Sequence, residues 1–414
     1  MINQLNLNGF GVEINIPSIQ EGEVGETPTT RIVEEELKKE IIKETEEYRK
    51  ATSREDKKEI MVKRRNDNLS YIKKNLDLIY PRVLENLENI NKLDFEKFEP
   101  EIIFCEEKKD KELWTFFRNT VSSLVNTGYY GRNIKFLLRD KHSGCFIGIV
   151  GLGSDFMSLG AREEYIGWNK RDKFGITIDK FGKEYTENTK SWVNMKRLGL
   201  EKRDNKINNL LNIFVCVSLF PFNELITGKL LTMSCFSNEV LEEMEKRYSQ
   251  KLAGITTTSI YGKSIQYDKI PKYLKFIGMS KGVGTVQFSK TLIEKIREYY
   301  INNREKNGWE KTSELGLQPK ARMILTVCKQ LGFSSKILNH SHQRGIYFGF
   351  THQNSKLFLN GKIGEEELKR IEGRKMEEIV KEWKERWLVK RKERFEGIRD
   401  RKDEIIKYYN PERF

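Results

Sequence analysis

The 414-residue sequence predicts a mixed α/β core that is flanked on both sides by mainly helical regions. A buried strand is predicted by the apolar run 212–222, which is β-branched and aromatic and too short to cross a membrane. Helix patterns follow this run, and a second strand pattern at 252–260 follows the helices. That order is typical of a parallel crossover unit. The chain on either side of this part is rich in charged residues, and its first segment has apolar residues at helical spacing.

We expect three regions. Residues 1–98 are an N-terminal lead and a charged helical region, 99–289 are the mixed-sheet core, and 290–414 are a C-terminal helical region. In the last region, a helix at 319–331 precedes strand patterns at 345–350 and 356–359. Together they predict a β-hairpin in a winged-helix-like arrangement. The mixed charges of 365–409 predict a long exposed helix with salt bridges along its length.

Local signals set several boundaries. Ser53 and Asp56 have the spacing of a capping box, which opens a helix. Pro81 is predicted at the first position of a later helix, where a missing amide hydrogen costs nothing. Gly332 is predicted to end the helix that starts at Pro319.

The core elements follow one another in a defined order. We expect a strand at 102–105, a helix at 111–125, and two antiparallel strands at 134–139 and 145–152, joined by a turn at Gly144. The central strand is predicted to end at Pro221, and helices at 224–235 and 239–248 lead to the next strand. This order is similar to that of GNAT-type acyltransferases, so we predict a GNAT-like core.

The charge balance indicates a polyanionic partner. The formal net charge is +14, which favours binding to nucleic acid, although a lysine-rich composition is an alternative explanation. The five cysteines are scattered without a CxxC pair, which indicates reduced thiols in a cytoplasmic protein. The sequence shows no signal peptide and no run long enough to span a membrane, so no membrane partner is expected.

The turn after the central strand is the predicted cofactor site. Backbone amides at the start of the following helix would face a phosphate or pyrophosphate, and a threonine hydroxyl would add one bond. The residues concerned are Asn223, Leu225, Ile226, Thr227 and Gly228. Only one glycine is present, so an ordinary junction between strand and helix is the alternative.

A glycine-rich segment follows the crossover unit. It contains Gly278, Ser280, Lys281, Gly282 and Gly284, which would let the backbone approach nucleic acid or an acyl donor closely. A β-turn or bulge between two strands is the alternative. The segment also matches the Gly-x-Ser-x-Gly of a nucleophile elbow. That motif needs a helix after the serine, which the pattern does not predict, so Ser280 is not expected to be a nucleophile.

Four side chains near these segments are candidates for catalysis. Tyr267 and Tyr273 would act as a general acid or as a surface on which a base stacks. Asp268 and Glu224 are the nearest carboxylates for a general base.

Histidines and a cysteine near the C-terminus do not predict a metal site. His340, His342, His352 and Cys328 include a pair at the spacing that one face of a strand would present. Their spacing nevertheless matches no familiar zinc site. We therefore expect no bound metal.

Several of these motifs resemble a known family in their order and spacing. They are Ile166-Gly167-Trp168-Asn169, the pair Asn208-Asn209, the strand that ends at Pro221, and the glycine segment. This order is typical of the DruA family of the Druantia anti-phage system, and it is distantly similar to Mom, a phage DNA-modification protein with a GNAT-like fold. The resemblance covers residues 101–289. The family has an arginine where Leu211 stands and Asn-Trp where residues 273–276 stand.

Three functions follow from this resemblance together with the charge. The first is a DNA-binding protein of an anti-phage system or mobile element, working beside a protein partner such as a helicase. The second is a transferase that moves an acyl-type group from acetyl-CoA or another acyl-CoA onto a DNA base or another amine. The third is a non-catalytic assembly scaffold. These alternatives remain open at the level of sequence.

Overall fold

The computed structural model describes most of the chain in two compact units. The described residues are 6–7, 10–11, 28–122, 131–168, 176–178, 184–185, 201–203, 205–280, 284–285, 288–311, 319–340 and 342–413. The helical unit comprises Met1–Ile72, Ser123–Val125 and Lys281–Gln343. The sheet unit comprises Lys73–Ser122, Asn126–Ser280 and Arg344–Phe414.

The described strands are short in the helical unit and long in the centre of the sheet unit. They are β1 Asn6–Leu7, β2 Phe10–Gly11, β3 Pro100–Phe104, β4 Asn133–Asp140, β5 Phe146–Ser154, β6 Ile176–Ile178, β7 Glu184–Tyr185, β8 Glu201–Arg203, β9 Leu210–Ser218, β10 Gly254–Ser259, β11 Lys275–Met279, β12 Gly284–Thr285, β13 Asn339–His340 and β14 Gly345–Phe350.

The described helices surround the sheet or form the helical unit. They are α1 Pro28–Lys50, α2 Arg54–Glu88, α3 Lys108–Val121, α4 Gly160–Ile166, α5 Thr227–Ser234, α6 Asn238–Tyr248, α7 Ile265–Asp268, α8 Lys290–Asn303, α9 Pro319–Gln330, α10 Ser355–Leu359, α11 Met376–Trp383, α12 Lys392–Glu396 and α13 Lys402–Tyr409.

A seven-stranded mixed sheet organises the sheet unit. Its strand order is β11-β14-β10-β9-β5-β4-β3. β9 and β10 are parallel, and the other neighbours are antiparallel. The mixed α/β class, the hairpin of β4 and β5, and the parallel crossover from β9 through α5 and α6 to β10 are therefore confirmed. The likeness of this sheet to the GNAT fold stays a prediction.

Helix packing explains why the central strand is an apolar run. α3 and α5 pack against β5, α3 also packs against β4, and α5 also packs against β9. Helix packing on a sheet favours continuous apolar sequence over alternation. Two glycines of β5 make room for this packing. A Cβ at Gly148 would lie 2.4 Å from Leu231 of α5, and one at Gly151 would lie 2.6 Å from the ring of Phe214.

Polar contacts of one glutamate tie the helical unit together. Glu44 of α1 accepts hydrogen bonds from the amide and hydroxyl of Ser289, the N-cap of α8, and lies 3.1 Å from the buried guanidinium of Arg64. Ser53 and Asp56 exchange the two hydrogen bonds of the predicted capping box, at 3.0 and 3.2 Å. The predicted helix at 290–303 is confirmed as well.

Pro81 was predicted at the start of a helix, but it lies inside α2. The helical pattern continues on both sides of it. The proline ring is exposed, so the structure loses one backbone hydrogen bond on the solvent side only.

The C-terminal region departs further from expectation, and the winged-helix-like hairpin is wrong. β14 pairs with both β10 and β11, so its hydrogen bonds are satisfied within the main sheet. Residues 356–359 belong to helix α10, where Phe358 and Leu359 are buried.

The long exposed helix predicted for 365–409 is right only in part. Consecutive α-, π- and 3-10-helical turns cover 376–396 and 399–409, whereas 365–375 are not helical. Gly373 has φ +72°, and the first helix after it begins at Met376, beyond the N-cap residue Lys375. The segment is also not exposed throughout, because Trp383 and Phe395 are fully buried and pack against Phe98 beside β3.

Candidate functional site

The carboxyl ends of the parallel strands β9 and β10 lie at the same edge of the sheet. Helices α5 and α7 follow these ends in the chain, and a glutamine joins them. The Gln266 side-chain amide donates to the carbonyl of Gly228 and the hydroxyl of Thr232, both at 3.1 Å, and to the sulfur of Cys216 at 3.3 Å. Burial raises the pKa of the Cys216 thiol to about 12, so this sulfur stays protonated and inert at neutral pH.

Two tyrosines and a carboxylate lie beside this cluster. The rings of Tyr267 and Tyr347 meet edge to face at 5.0 Å. Burial raises the pKa of Tyr267 well above its usual value, so the hydroxyl keeps its proton. The Tyr347 hydroxyl donates to Asp268 at 2.7 Å and accepts from the amide of Ser264 at 2.7 Å. Burial is also the main cause that raises the pKa of Tyr347 to about 12. This arrangement supplies protonated hydroxyls, but its carboxylate already has a partner.

The other two predicted catalytic residues have partners elsewhere in the sheet unit. The hydroxyl of Tyr273 donates to Glu382 at 3.1 Å, and the guanidinium of Arg374 lies 3.7 Å from its ring centre. Both oxygens of Glu224 accept from Arg401, at 2.9 and 3.0 Å. A general base at Glu224 would therefore first have to release this arginine.

The predicted cofactor turn is occupied by its own hydrogen bonds. Three of its amides donate to backbone carbonyls at 2.9–3.3 Å, those of Asn223, Glu224 and Ile226. The Thr227 hydroxyl is buried and donates to the carbonyl of Phe222 at 2.8 Å. Leu225 is also fully buried, and Gly228 carries the carbonyl that Gln266 binds. A pyrophosphate at this turn stays a prediction, and these amides would have to exchange their partners to bind it.

The glycine segment begins as part of the sheet. Gly278 has φ +143° at an irregularity of β11, and a Cβ there would lie 3.3 Å from the Cβ of Ala161. Ser280 closes the end of β11 on β14: its amide donates to the Arg344 carbonyl at 2.8 Å, and its hydroxyl accepts from the Arg344 amide at 2.9 Å. Gly284 starts β12. Lys281 and Gly282 lie outside the described residues.

The structure also contains a buried ion pair that no sequence motif indicated. It lies against β10 of the same sheet. Arg162 of α4 and Asp155 after β5 are 2.7 Å apart, and both side chains are fully buried. Asp155 also accepts from the hydroxyl of Thr256 on β10 at 2.5 Å and from the amide of Phe156 at 2.8 Å. The pair therefore fastens α4 to the middle of the sheet.

A second unpredicted group consists of four cations around one tryptophan. We call Lys229, Lys269, Arg386, Arg391 and Trp387 the cation cluster. The charged groups of Lys229 and Arg386 lie 5.9 and 4.3 Å from the centre of the indole ring. Three segments of the chain supply these residues, which is why no local sequence pattern indicated them.

The metal prediction can be compared only with the described residues. Within them, no group of three or more His, Cys, Asp or Glu side chains is placed to hold a metal ion. His342 stacks on Tyr48 at 5.5 Å, and His352 is buried beside the hydroxyl of Thr351. In the same part of the chain, no helix combines the length and apolar character that crossing a membrane requires.

Comparison with known proteins decides the family. The family model described as Druantia protein DruA matches residues 51–178 and 191–361. The chain belongs to the DruA family. The match extends past the predicted 101–289 to all of α2 at one end and through β14 and α10 at the other, so these elements are part of the DruA match.

One characterised relative is similar to this DruA-family chain. It is the Druantia protein DruA of Escherichia coli (strain UMEA 4076-1), with 25% identity over 288 residues. The alignment covers 66% of this chain and 63% of the relative, so the chain spans less than two thirds of that protein's length. No solved structure matches. DruA is a component of the Druantia anti-phage defence system.

The DruA-family motifs meet at the amino ends of β9 and β10. Ile166 is buried in an apolar cluster there, and Gly167 ends α4 with φ +86°. The indole nitrogen of Trp168 donates to the carbonyl of Leu359 at 2.7 Å. Just before β10, the carbonyl of Asn209 accepts from the amide of Ala253 at 2.7 Å, and its side-chain amide donates to the carbonyl of Lys251 at 2.8 Å.

The remaining motif residues lie around this cluster or outside it. The carbonyl of Asn208 accepts from Arg132, and Pro221 lies beyond the other end of β9. Asn169 falls outside the described residues. The described motif residues at the amino ends of β9 and β10 therefore make contacts within the fold, whereas the hydroxyls of Tyr267 and Tyr347 lie nearer to Pro221, at the carboxyl ends.

Proposed function

We propose that this chain is a nucleic-acid-associated component of a Druantia-type anti-phage system and that it binds DNA. Family membership supports the system, and the surface charge supports the ligand. The formal net charge of the chain is +14. The C-terminal segment from Lys375 to Arg413 contains a set of basic side chains with no acidic partner.

This basic set is the observation that carries the proposal. Its members face solvent at least in part, and within the described residues none of them forms an ion pair: Lys381, Lys384, Lys390, Arg394, Arg399, Lys402 and Lys407. Their chain neighbours Arg386, Lys392 and Arg401 do have glutamate partners. Unpaired cations that are already in water can bind phosphates without losing other bonds. Phosphate neutralisation supplies most of the affinity in non-specific DNA binding.

A titration of labelled duplex DNA with the full chain tests this proposal. Binding measured between about 50 and 200 mM salt should weaken steeply, because each neutralised phosphate contributes about 0.9 to the logarithmic salt slope. Replacing Lys384, Lys390, Arg394 and Arg399 by Gln should lower that slope by about 3 to 4.

The matched control removes the same charge from another surface of the sheet unit. Lys108, Lys109, Lys111 and Lys141 are exposed, and three of them have glutamate partners. Their replacement by Gln should change the slope by less than about 1. Absence of salt-sensitive binding by the native chain would refute the proposal. Equal losses in both variants would show that only total charge matters.

The transferase alternative has less support from the geometry. The amides of its predicted pyrophosphate turn already have hydrogen-bond partners. The hydroxyls of Tyr267 and Tyr347 at the sheet edge could donate protons to a substrate only after changing their present bonds. Thermal unfolding with millimolar acetyl-CoA tests it, because a ligand of the native state must raise the melting temperature. The helicase partner and the scaffold role stay predictions.

A further inference from the structure

The cation cluster brings together positive charges from three separate segments of the sheet unit. Lys229 is in the first turn of α5, and Lys269 directly follows α7. Arg386 and Trp387 belong to a π-helical turn at Lys384–Leu388, and Arg391 ends the short turn after it. π-Helical turns within helices often occur at functional sites, because they change the direction of one side chain.

Hydrogen bonds to main-chain carbonyls fix the two guanidinium groups. Arg386 donates to the carbonyl of Lys269 at 3.2 Å, and Arg391 donates to the carbonyl of Trp387 at 2.9 Å. Carbonyl partners orient a guanidinium without removing its positive charge. The cluster is therefore a fixed arrangement of cations.

Negative charge within reach of the cluster is scarce. Glu382 binds Arg386 at 2.8 Å, and its other oxygen accepts from the hydroxyl of Tyr273. Lys229 is 6% exposed, and within the described residues its ammonium group has neither a hydrogen bond nor an ion pair. The Nε of Arg391 is buried and has no partner there either.

The electrostatics agree with this geometry. Burial lowers the pKa of Lys229, and the charges of Arg391, Lys269 and Arg386 lower it further. Burial and the nearby Arg394 lower the pKa of Arg391 in the same way. Repulsion between these cations is relieved when an anion binds among them.

We propose that the cation cluster binds a phosphate group of a nucleic-acid strand. This inference rests on the proposed DNA-binding function and specifies where one phosphate of the strand is held. Two guanidinium groups and an ammonium match the oxygens of a phosphodiester, which guanidinium groups bind through paired hydrogen bonds. The guanidinium of Arg386 lies 4.3 Å from the ring centre of Trp387, a cation–π contact that restrains its position.

A purely structural role for Lys229 would predict a different result from a phosphate-binding role. If Lys229 only packed its aliphatic stem in the core, Lys229→Met would be harmless to ligand binding. If the cluster binds phosphate, Lys229→Met should have opposite effects on stability and on nucleic-acid affinity. Lys229→Met should unfold at a higher temperature than the native chain without ligand, because repulsion is removed, and it should bind nucleic acid more weakly.

The experiment uses the full chain, a short oligothymidylate and inorganic pyrophosphate as probes. Anisotropy and thermal unfolding are measured at constant ionic strength. We expect Lys229→Met to weaken oligothymidylate binding by about 10-fold, which corresponds to one well-placed phosphate contact. Lys229→Arg should stay within about 3-fold of the native chain. Lys108→Met removes one charge from a side chain that is 90% exposed, and it should change binding by less than about 2-fold.

The outcomes separate this inference from the proposed function. Salt-sensitive DNA binding with equal affinities for Lys229→Met and Lys108→Met would overturn the phosphate site and leave the DNA-binding proposal intact. Stabilisation by pyrophosphate that Lys229→Met abolishes, without any binding of oligothymidylate or duplex DNA, would overturn the nucleic-acid assignment and the proposed function together. If Lys229→Met does not fold, Arg386→Gln gives the same binding test on a side chain that is 43% exposed. Weaker oligothymidylate binding is expected for Arg386→Gln, and unchanged binding would overturn the phosphate site.

Discussion

The buried pair of Asp155 and Arg162 predicts a large and specific loss of stability when one charge is removed. Asp155→Asn is the change to make, because asparagine has almost the same shape. The amide keeps an oxygen that accepts from the hydroxyl of Thr256 or the amide of Phe156. The substitution removes the negative charge that lies 2.7 Å from the Arg162 guanidinium.

The size of the effect follows from burial. Neither side chain reaches solvent, and a guanidinium group is a permanent cation in proteins. The Nε of Arg162 lacks a partner, but the guanidinium would keep the carboxylate of Glu163 at 3.4 Å and the carbonyl of Phe156 at 2.8 Å. Removing one partner of a buried pair costs about 3 to 5 kcal/mol when the other charge loses its counter-charge. Because Glu163 remains, we expect Asp155→Asn to lower the free energy of unfolding by about 3 kcal/mol, at the lower end of that range.

A surface pair provides the control. Lys246 and Glu106 are 3.4 Å apart with side chains 67% and 54% exposed. Lys246→Met should cost less than about 1 kcal/mol, because water replaces the lost partner.

Urea unfolding followed by circular dichroism measures both changes, and a double-mutant cycle isolates the pair. Asp155→Asn combined with Arg162→Met should cost less than the sum of the single changes by about 2 kcal/mol or more, since no unpaired charge remains. A loss below about 1 kcal/mol for Asp155→Asn would refute the reasoning. Additive effects within about 0.5 kcal/mol would also contradict it, since they would show that the two charges do not interact.

Two further predictions concern pH and packing. Burial, with the charges of Arg370 and Lys251, lowers the pKa of His352 from 6.5 to about 4. As the pH falls, His352 therefore takes up a proton at a higher pH in the unfolded chain than in the folded chain. Stability should fall by up to about 3 kcal/mol as the pH drops from 6.5 to 4, and His352→Gln should remove that part of the pH dependence in urea unfolding. Gly349→Ala should destabilise by at least about 1 to 3 kcal/mol, because its Cβ would lie 1.8 Å from a backbone carbonyl oxygen. Gly397→Ala, with its nearest atom at 3.4 Å, should leave the melting temperature nearly unchanged.

Predictions that depended on neighbouring residues agree well with the structure. The capping box at Ser53, the helix Lys290–Asn303 and the hairpin of β4 and β5 follow from hydrogen bonds and apolar spacing within a few residues. The parallel crossover was also predictable, because an apolar strand, helices and a second strand follow one another without interruption. The family resemblance also rested on motif order along the chain, and the family match confirms it.

The candidate site was predicted less completely. Tyr267 and Asp268 lie together at the edge of the sheet, as their adjacency in sequence required. The partners that occupy the other candidates come from far along the chain: Arg401 binds Glu224, and Glu382 binds Tyr273. Such partners change what a carboxylate or hydroxyl can do, and no local pattern indicates them.

The sequence by itself determined most elements of the predicted core, their order and the excess of positive charge. Local hydrogen bonding and the spacing of apolar residues are properties of short segments, so they can be read without a fold. Tertiary structure alone decided that β14 enters the sheet between β10 and β11, and that Lys229 and Trp387 lie side by side. Strand pairing and the meeting of charges depend on which distant surfaces exclude water together, and that is settled only when the whole unit packs.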